Sequence, residues 1–226
     1  MATAQLPINS QRQAKSPFEF TTAAHLLRVC RQRANNLGEL LDALRIVSDD
    51  SIFQHTFRTL QEHHFIPQGF SNDFAHWAFA ACNEVSLAER LASLDVREYT
   101  SLTSLRERIV KILEEYIQHN PRSKDRLALE PFFFCASETV VIPTSCSARN
   151  LEEFIDGIEK VSLHSIHYHF IEARLRLKLT SNDFSVWLER ELDLADLAEQ
   201  LNRIDIYTST LQEVRQQIAR TLRSAQ

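Results

Sequence analysis

Apolar residues recur along most of this chain at helical spacing. Leu37, Leu40, Leu41, Leu44 and Val47 fall at i, i+3, i+4, i+7 and i+10, one face of a helix. Asn36 stands before them with Glu39 three residues on, a capping-box pattern. A second helix is expected near Ser48 or Ser51, through Ile52 and His55. A third starts at Ser71-Asn72-Asp73, which can satisfy the orphan N–H groups and the positive dipole end, with Phe74, Trp77, Ala78 and Ala81 on its apolar face. Leu87, Ala88, Leu91 and Leu94 mark a fourth, ending at Asp95, and Leu102, Leu105, Ile109, Ile112 and Tyr116 a fifth. Ahead of these, Thr21 to Ala34 reads as an amphipathic helix through Ala24, Leu27 and Cys30. Glu138 to Pro143 holds a β-branched run before a proline and reads as extended, so a short strand is expected near 132–142.

The same pattern is written twice. From Asn36 to His55, nine of twenty positions are identical to those 114 residues later; from Ser71 to Asp95, ten of twenty-five match those 110 residues later. Ser71-Asn72-Asp73-Phe74-Ala75-His76-Trp77 returns as Ser181-Asn182-Asp183-Phe184-Ser185-Val186-Trp187. The change of offset puts four extra residues in the first copy, around Gln61 to Phe70. The expectation is an all-α protein made by duplication. It has a flexible arm at 1–16, a first helical unit at 17–117, a linker at 118–130 and a second unit at 131–226, the two units packed with internal pseudo-twofold symmetry.

Composition narrows the possible functions. Hydrophobic content of 44% and charged content of 24% are those of a chain that can bury a core. Only 3 residues are Gly, and neither a GxGxxG nor a P-loop pattern occurs, so the common phosphate-cradling loops are absent. A net charge of −5 argues against general nucleic-acid binding. Arg28, Arg31 and Arg33 form the densest basic group and read as a solvated helix face. No membrane span and no secretory signal is visible, and the four cysteines contain no CxxC pair, so a cytoplasmic protein with reduced thiols is expected.

The residues that could carry chemistry are few. His55 and His169 are equivalent in the two copies, each three residues after an inward Ile (Ile52, Ile166), and could form a paired-histidine ligand or metal site. The simpler reading is a core histidine bonded to a backbone carbonyl or to Asp73 or Asp183. Trp77 and Trp187, with Asp73 and Asp183, are the candidate pocket lining; as plain packing residues the tryptophans would be core. His63, His64 and Glu62 follow His55, and His164, His167 and Glu172 surround His169, but neither HExxH nor the Glu-x-x-His of di-iron bundles occurs. Cys30, Cys82 and Cys135 lie in apolar contexts, which leaves Cys146 as the candidate reactive thiol; no GxSxG elbow exists. No catalytic residue and no cofactor is assigned.

The order Asn-Leu-x-Glu (36–39), Ser-Ile-x-x-His (51–55), Asn-Asp-Phe-x-x-Trp (72–77), Leu-Ala-Glu-x-Leu (87–91) and Asp95, repeated from Asn150 to Asp205, resembles an uncharacterised bacterial and archaeal family, a domain of unknown function. The likeness covers roughly residues 17–222 and implies no activity. The expected function is non-enzymatic: a helical binding or adaptor protein with a protein partner or a second copy of itself. The rivals are a small-molecule or metal site at the paired histidines, and a structural subunit of a larger assembly.

Overall fold

The structure is a computed structural model that describes residues 12–58, 70–178 and 181–224. Expectations for residues 1–11, for the insertion around 61–69 and for Glu62, His63 and His64 lie outside the described residues.

Two long strands, β1 (Phe18–Ala34) and β2 (Phe132–Ala148), pair with each other as a two-stranded sheet. They are antiparallel: His25 meets Thr139 while Phe20 meets Thr144. After β1 come α1 (Leu37–Ile46), α2 (Asp49–Phe53), a π-helical turn (Gln54–Arg58), α3 (Asp73–Ala80), α4 (Val85–Ala92) and α5 (Leu102–His119). After β2 come α6 (Leu151–Lys160), α7 (Leu163–His167), a π-helical turn (Tyr168–Glu172), α8 (Ala173–Leu177), α9 (Asp183–Leu192), α10 (Ala195–Asn202) and α11 (Leu211–Arg223).

The all-α expectation is therefore overturned. The fold is mixed, and the helix expected over Thr21–Ala34 is strand throughout. Ala24, Leu27 and Cys30 do lie three apart, but they share no buried face: Leu27 is 63% exposed. The buried positions are Phe18, Phe20, Ala23 and Ala34, and the first two alternate as strand residues do. The extended segment foreseen near 132–142 is real but longer, reaching Ala148.

The tandem arrangement is overturned with it. One compact unit comprises residues 25–140; the other combines the described residues up to Ala24 with those from Val141 onward. Each strand changes unit midway. Phe18 and Phe20 accordingly pack among Phe154, Phe184 and Trp187, with ring centroids 4.8–6.3 Å apart. In the unit of residues 25–140, Phe132 stacks on Phe74 at 5.3 Å and meets Trp77 edge-on at 5.8 Å. The helices that follow one strand in sequence thus hold the beginning of the other.

Local signals set the helix starts. The side chains of Asn36 and Asn150 cap α1 and α6, accepting from the N–H groups of Glu39 and Glu153. Glu39 accepts from the Asn35 N–H and from the Asn36 side-chain amide, and the bond from the Asn35 N–H is the largest influence holding its carboxyl below the usual value. Asn72 and Asn182 cap α3 and α9 in the same way. Residues 118–130, expected as a linker, form an ordered strap. Arg126 reaches the buried Glu84 at 2.6 Å, Tyr116 donates to the same carboxylate at 2.5 Å, and Lys124 accepts from the Gly38 N–H. Among the described residues no helix is long and apolar enough to cross a membrane.

One glycine is fixed by packing. A Cβ at Gly157 on α6 would fall on the edge of the Phe20 ring, which is 1% exposed. Gly157→Ala is therefore expected to lower stability by about 1–3 kcal/mol. Adding Phe20→Leu should cost less in this background than in the wild type. Denaturant melts of the four proteins check this; strict additivity would show that the ring and the glycine do not meet.

Candidate functional site

Each unit carries one copy of the same arrangement, built around a histidine in a π-helical turn. Such turns carry one more residue than an α-turn and often mark functional positions. His55 and His169 are 5% and 4% exposed, behind fully buried Ile52 and Ile166.

In the unit formed by residues up to 24 and from 141, His169 Nδ1 lies 2.7 Å from Asp183 Oδ2, and its Nε2 accepts from the Thr21 backbone N–H at 2.8 Å. An amide must donate, so Nε2 carries no proton; the proton sits on Nδ1 and is donated to Asp183. Ser165, four residues before His169 on the same helix face, donates to the Thr21 carbonyl at 2.6 Å. Trp187 donates its indole N–H to the carbonyl of Ser16, just before Pro17, at 2.9 Å. Both backbone polar groups of Thr21 and the entrance to the strand are thus gripped by three side chains, with Asp183 orienting one of them.

In the unit of residues 25–140 the grip recurs. His55 Nδ1 lies 2.7 Å from Asp73 Oδ2, His55 Nε2 accepts from the Cys135 N–H at 2.9 Å, and Trp77 donates to the carbonyl of Glu130, just before Pro131, at 2.8 Å. The serine bond is missing: Ser51 Oγ is buried with no partner among the described residues. The structure therefore brings His55 together with Asp73, and His169 with Asp183, as the simpler sequence reading has it, but adds a strand amide that reading did not foresee. The missed partners, Thr21 and Cys135, follow the two Pro-Phe-x-Phe starts by one residue; those repeated starts were the available signal.

Asp183, His169 and Thr21 have the outline of an acid–base–nucleophile set, for Thr21 Oγ1 lies 3.1 Å from Nε2. Its chemistry is blocked by the amide, which occupies the lone pair a general base or a metal ligand needs. Cys135 beside His55 is no better placed. Burial, with Cys30 and Asp73 nearby, raises its thiol pKa, the opposite of an activated nucleophile. Burial also raises that of Cys146, the thiol expected to be reactive, and holds Cys82 at about 12. Among the described residues no three His, Cys, Asp or Glu side chains group as a metal site would require.

Beside His169 an open cleft of about 500 Å³ is lined by Phe18, Tyr168, Asp183, Trp187, Arg190 and Glu191, among others. It holds two of the four expected lining residues, Asp183 and Trp187; Asp73 and Trp77 lie in the other unit around His55. Mixed charge over an aromatic floor suits a small polar ligand.

Fold and site together define a mixed α/β protein organised on a clamped two-stranded ribbon. The chain belongs to the family of unknown function DUF5752, whose model matches residues 15–223. It is similar to the solved structure of OrfY from Thermoproteus tenax at 32% identity, over 94% of this chain and 97% of that one, with a TM-score of 0.83. No curated protein matches.

Two outcomes follow for the clamp. His169→Ala leaves the Thr21 amide without its acceptor, removes the ring's bond to Asp183 and opens a cavity in the core, and should cost about 2–4 kcal/mol. His169→Ala with Asp183→Ala should be less than additive, and amide exchange at Thr21 should rise well above that of the core helices. For the thiols, a raised pKa means less thiolate at a given pH. Cys82, Cys135 and Cys146 should therefore alkylate more slowly at mildly alkaline pH than an unstructured cysteine, and rapid single-site labelling of Cys135 would contradict this.

Proposed function

We propose that this protein is a non-enzymatic binding protein that presents its ribbon to a partner chain. The observation that carries the reading is what the ribbon leaves open. In the unit of residues 25–140, Leu26, Leu27 and Val29 of β1 are 59%, 63% and 70% exposed, and Val140 of β2 is 42% exposed. Consecutive aliphatic residues exposed on both faces of a strand are costly to keep in water and mark contact surfaces. The repeated histidines, aspartates and tryptophans support the same reading from the other side, because they are already committed to holding a strand. Four free thiols fit residence in a reducing cytoplasm. The cleft beside His169 favours a second reading, a small-molecule site within that unit.

Native mass spectrometry of the chain purified from its own cells tests the proposal. A stoichiometric complex with another protein chain is expected. Leu27→Glu with Val29→Glu should release the partner while leaving the melting temperature within a few degrees of wild type. A wild-type chain that emerges alone, indistinguishable in assembly from the double variant, contradicts the proposal.

A further inference from the structure

We infer that the partner segment is an extended acidic strand that adds to the outer edge of β1 within residues 26–33. The inference rests on the binding-protein reading and narrows it to one edge and one chemistry.

The edge is selected by what is already occupied. In the unit of residues 25–140 the Cys135 N–H is given to His55 rather than to β1, so this side of β2 is closed by the π-helical turn. The corresponding stretch of β1 is open. Among the described residues, no segment outside the ribbon hydrogen-bonds the main chain of residues 26–33. The stretch contains neither Pro nor Gly, so every residue keeps its N–H and an extended preference. An incoming strand can therefore bond to it as in β-augmentation.

The charge of the partner follows from the side chains. Leu27, Val29, Arg31 and Arg33 alternate onto one face, and Leu26 and Arg28 lie on the other. All three arginines are exposed, and no acidic residue lies between His25 and Ala34. Arg33 is close enough to Glu39 to help hold that carboxyl low. Arg28 and Arg31 have no ion pair among the described residues. A chain of net charge −5 therefore carries uncompensated positive charge along this edge, whereas the matching stretch 140–147 of β2 holds Pro143 and no basic residue. Antiparallel pairing of this edge with a second copy would bring arginines opposite or diagonal to arginines, which is unfavourable. An acidic strand meets the reverse: carboxylates on one of its faces meet Arg31 and Arg33, and the aliphatic residues on its other face cover Leu26.

The probe is a blocked, dye-labelled decapeptide alternating glutamate and valine, titrated against the full chain and read by fluorescence anisotropy. Companion peptides replace glutamate by lysine, replace it by serine, or carry a central proline. The glutamate peptide should bind about tenfold or more tighter than the lysine peptide, with affinity falling as salt rises. Arg28→Glu with Arg31→Glu, both exposed and distant from the core, should reverse the preference. Loss of binding in the proline peptide would mark strand addition; equal binding of it would mean charge attraction alone and would overturn the inference. Equal binding of the serine peptide would overturn the acidic selectivity and leave the binding-protein reading standing. If no peptide binds while the native complex still forms, the inference falls alone; if neither forms, both fall.

Discussion

A strand amide aimed at an imidazole nitrogen is the interaction on which the rest of this fold depends. A two-stranded ribbon of 17-residue strands is marginal by itself, because each strand has one unpaired edge. Here each strand's first residues are tied down by a short relay: amide to Nε2, Nδ1 to an aspartate, and that aspartate at the start of a helix. The relay leaves the imidazole one usable tautomer and anchors it by both nitrogens. It also places the preceding Phe-x-Phe pair in the aromatic core. Losing either end would expose buried polar groups rather than merely remove a bond.

The relay gives a physical meaning to the repeated sequence pattern. In Ser-Ile-x-x-His, the serine grips a strand carbonyl at Thr21, the isoleucine is core, and the histidine grips the amide. In Asn-Asp-Phe-x-x-Trp, the asparagine caps the helix, the aspartate orients the histidine, the phenylalanine packs, and the tryptophan holds the residue before the proline. The histidine, aspartate and tryptophan of both copies are used in holding a strand, and the remaining motif residues cap or pack the helices that carry them. A motif that suggests a catalytic site is here the fastening of a scaffold, and the surface free to recognise another molecule lies on the ribbon between the fastenings.

Much of this was legible from the residues, and the failures have particular causes. The capped helices after Asn36, Asn72, Asn150 and Asn182 follow local rules and stand as read, and the histidine–aspartate bond was the simpler of two readings. The strand over Phe18–Ala34 was not legible. Leu26, Leu27, Arg28 and Val29 are exposed on both faces, so they show no period of two, while Ala24, Leu27 and Cys30 imitate a helical stripe. The extended reading of Val140 to Pro143 held the correction, since its counterpart lies inside the stretch read as helix. The exchange of strand halves between compact units depends on pairing residues more than a hundred positions apart, which no local pattern records.

The direct measurement is the protonation of the two imidazoles by nitrogen NMR. The account predicts that His55 and His169 are both the Nδ1–H tautomer, with couplings across the hydrogen bonds from the Cys135 and Thr21 amides to Nε2. A proton on Nε2 of either ring, or absence of those couplings in the folded protein, would contradict the strand clamp and reopen the histidines as a site for chemistry.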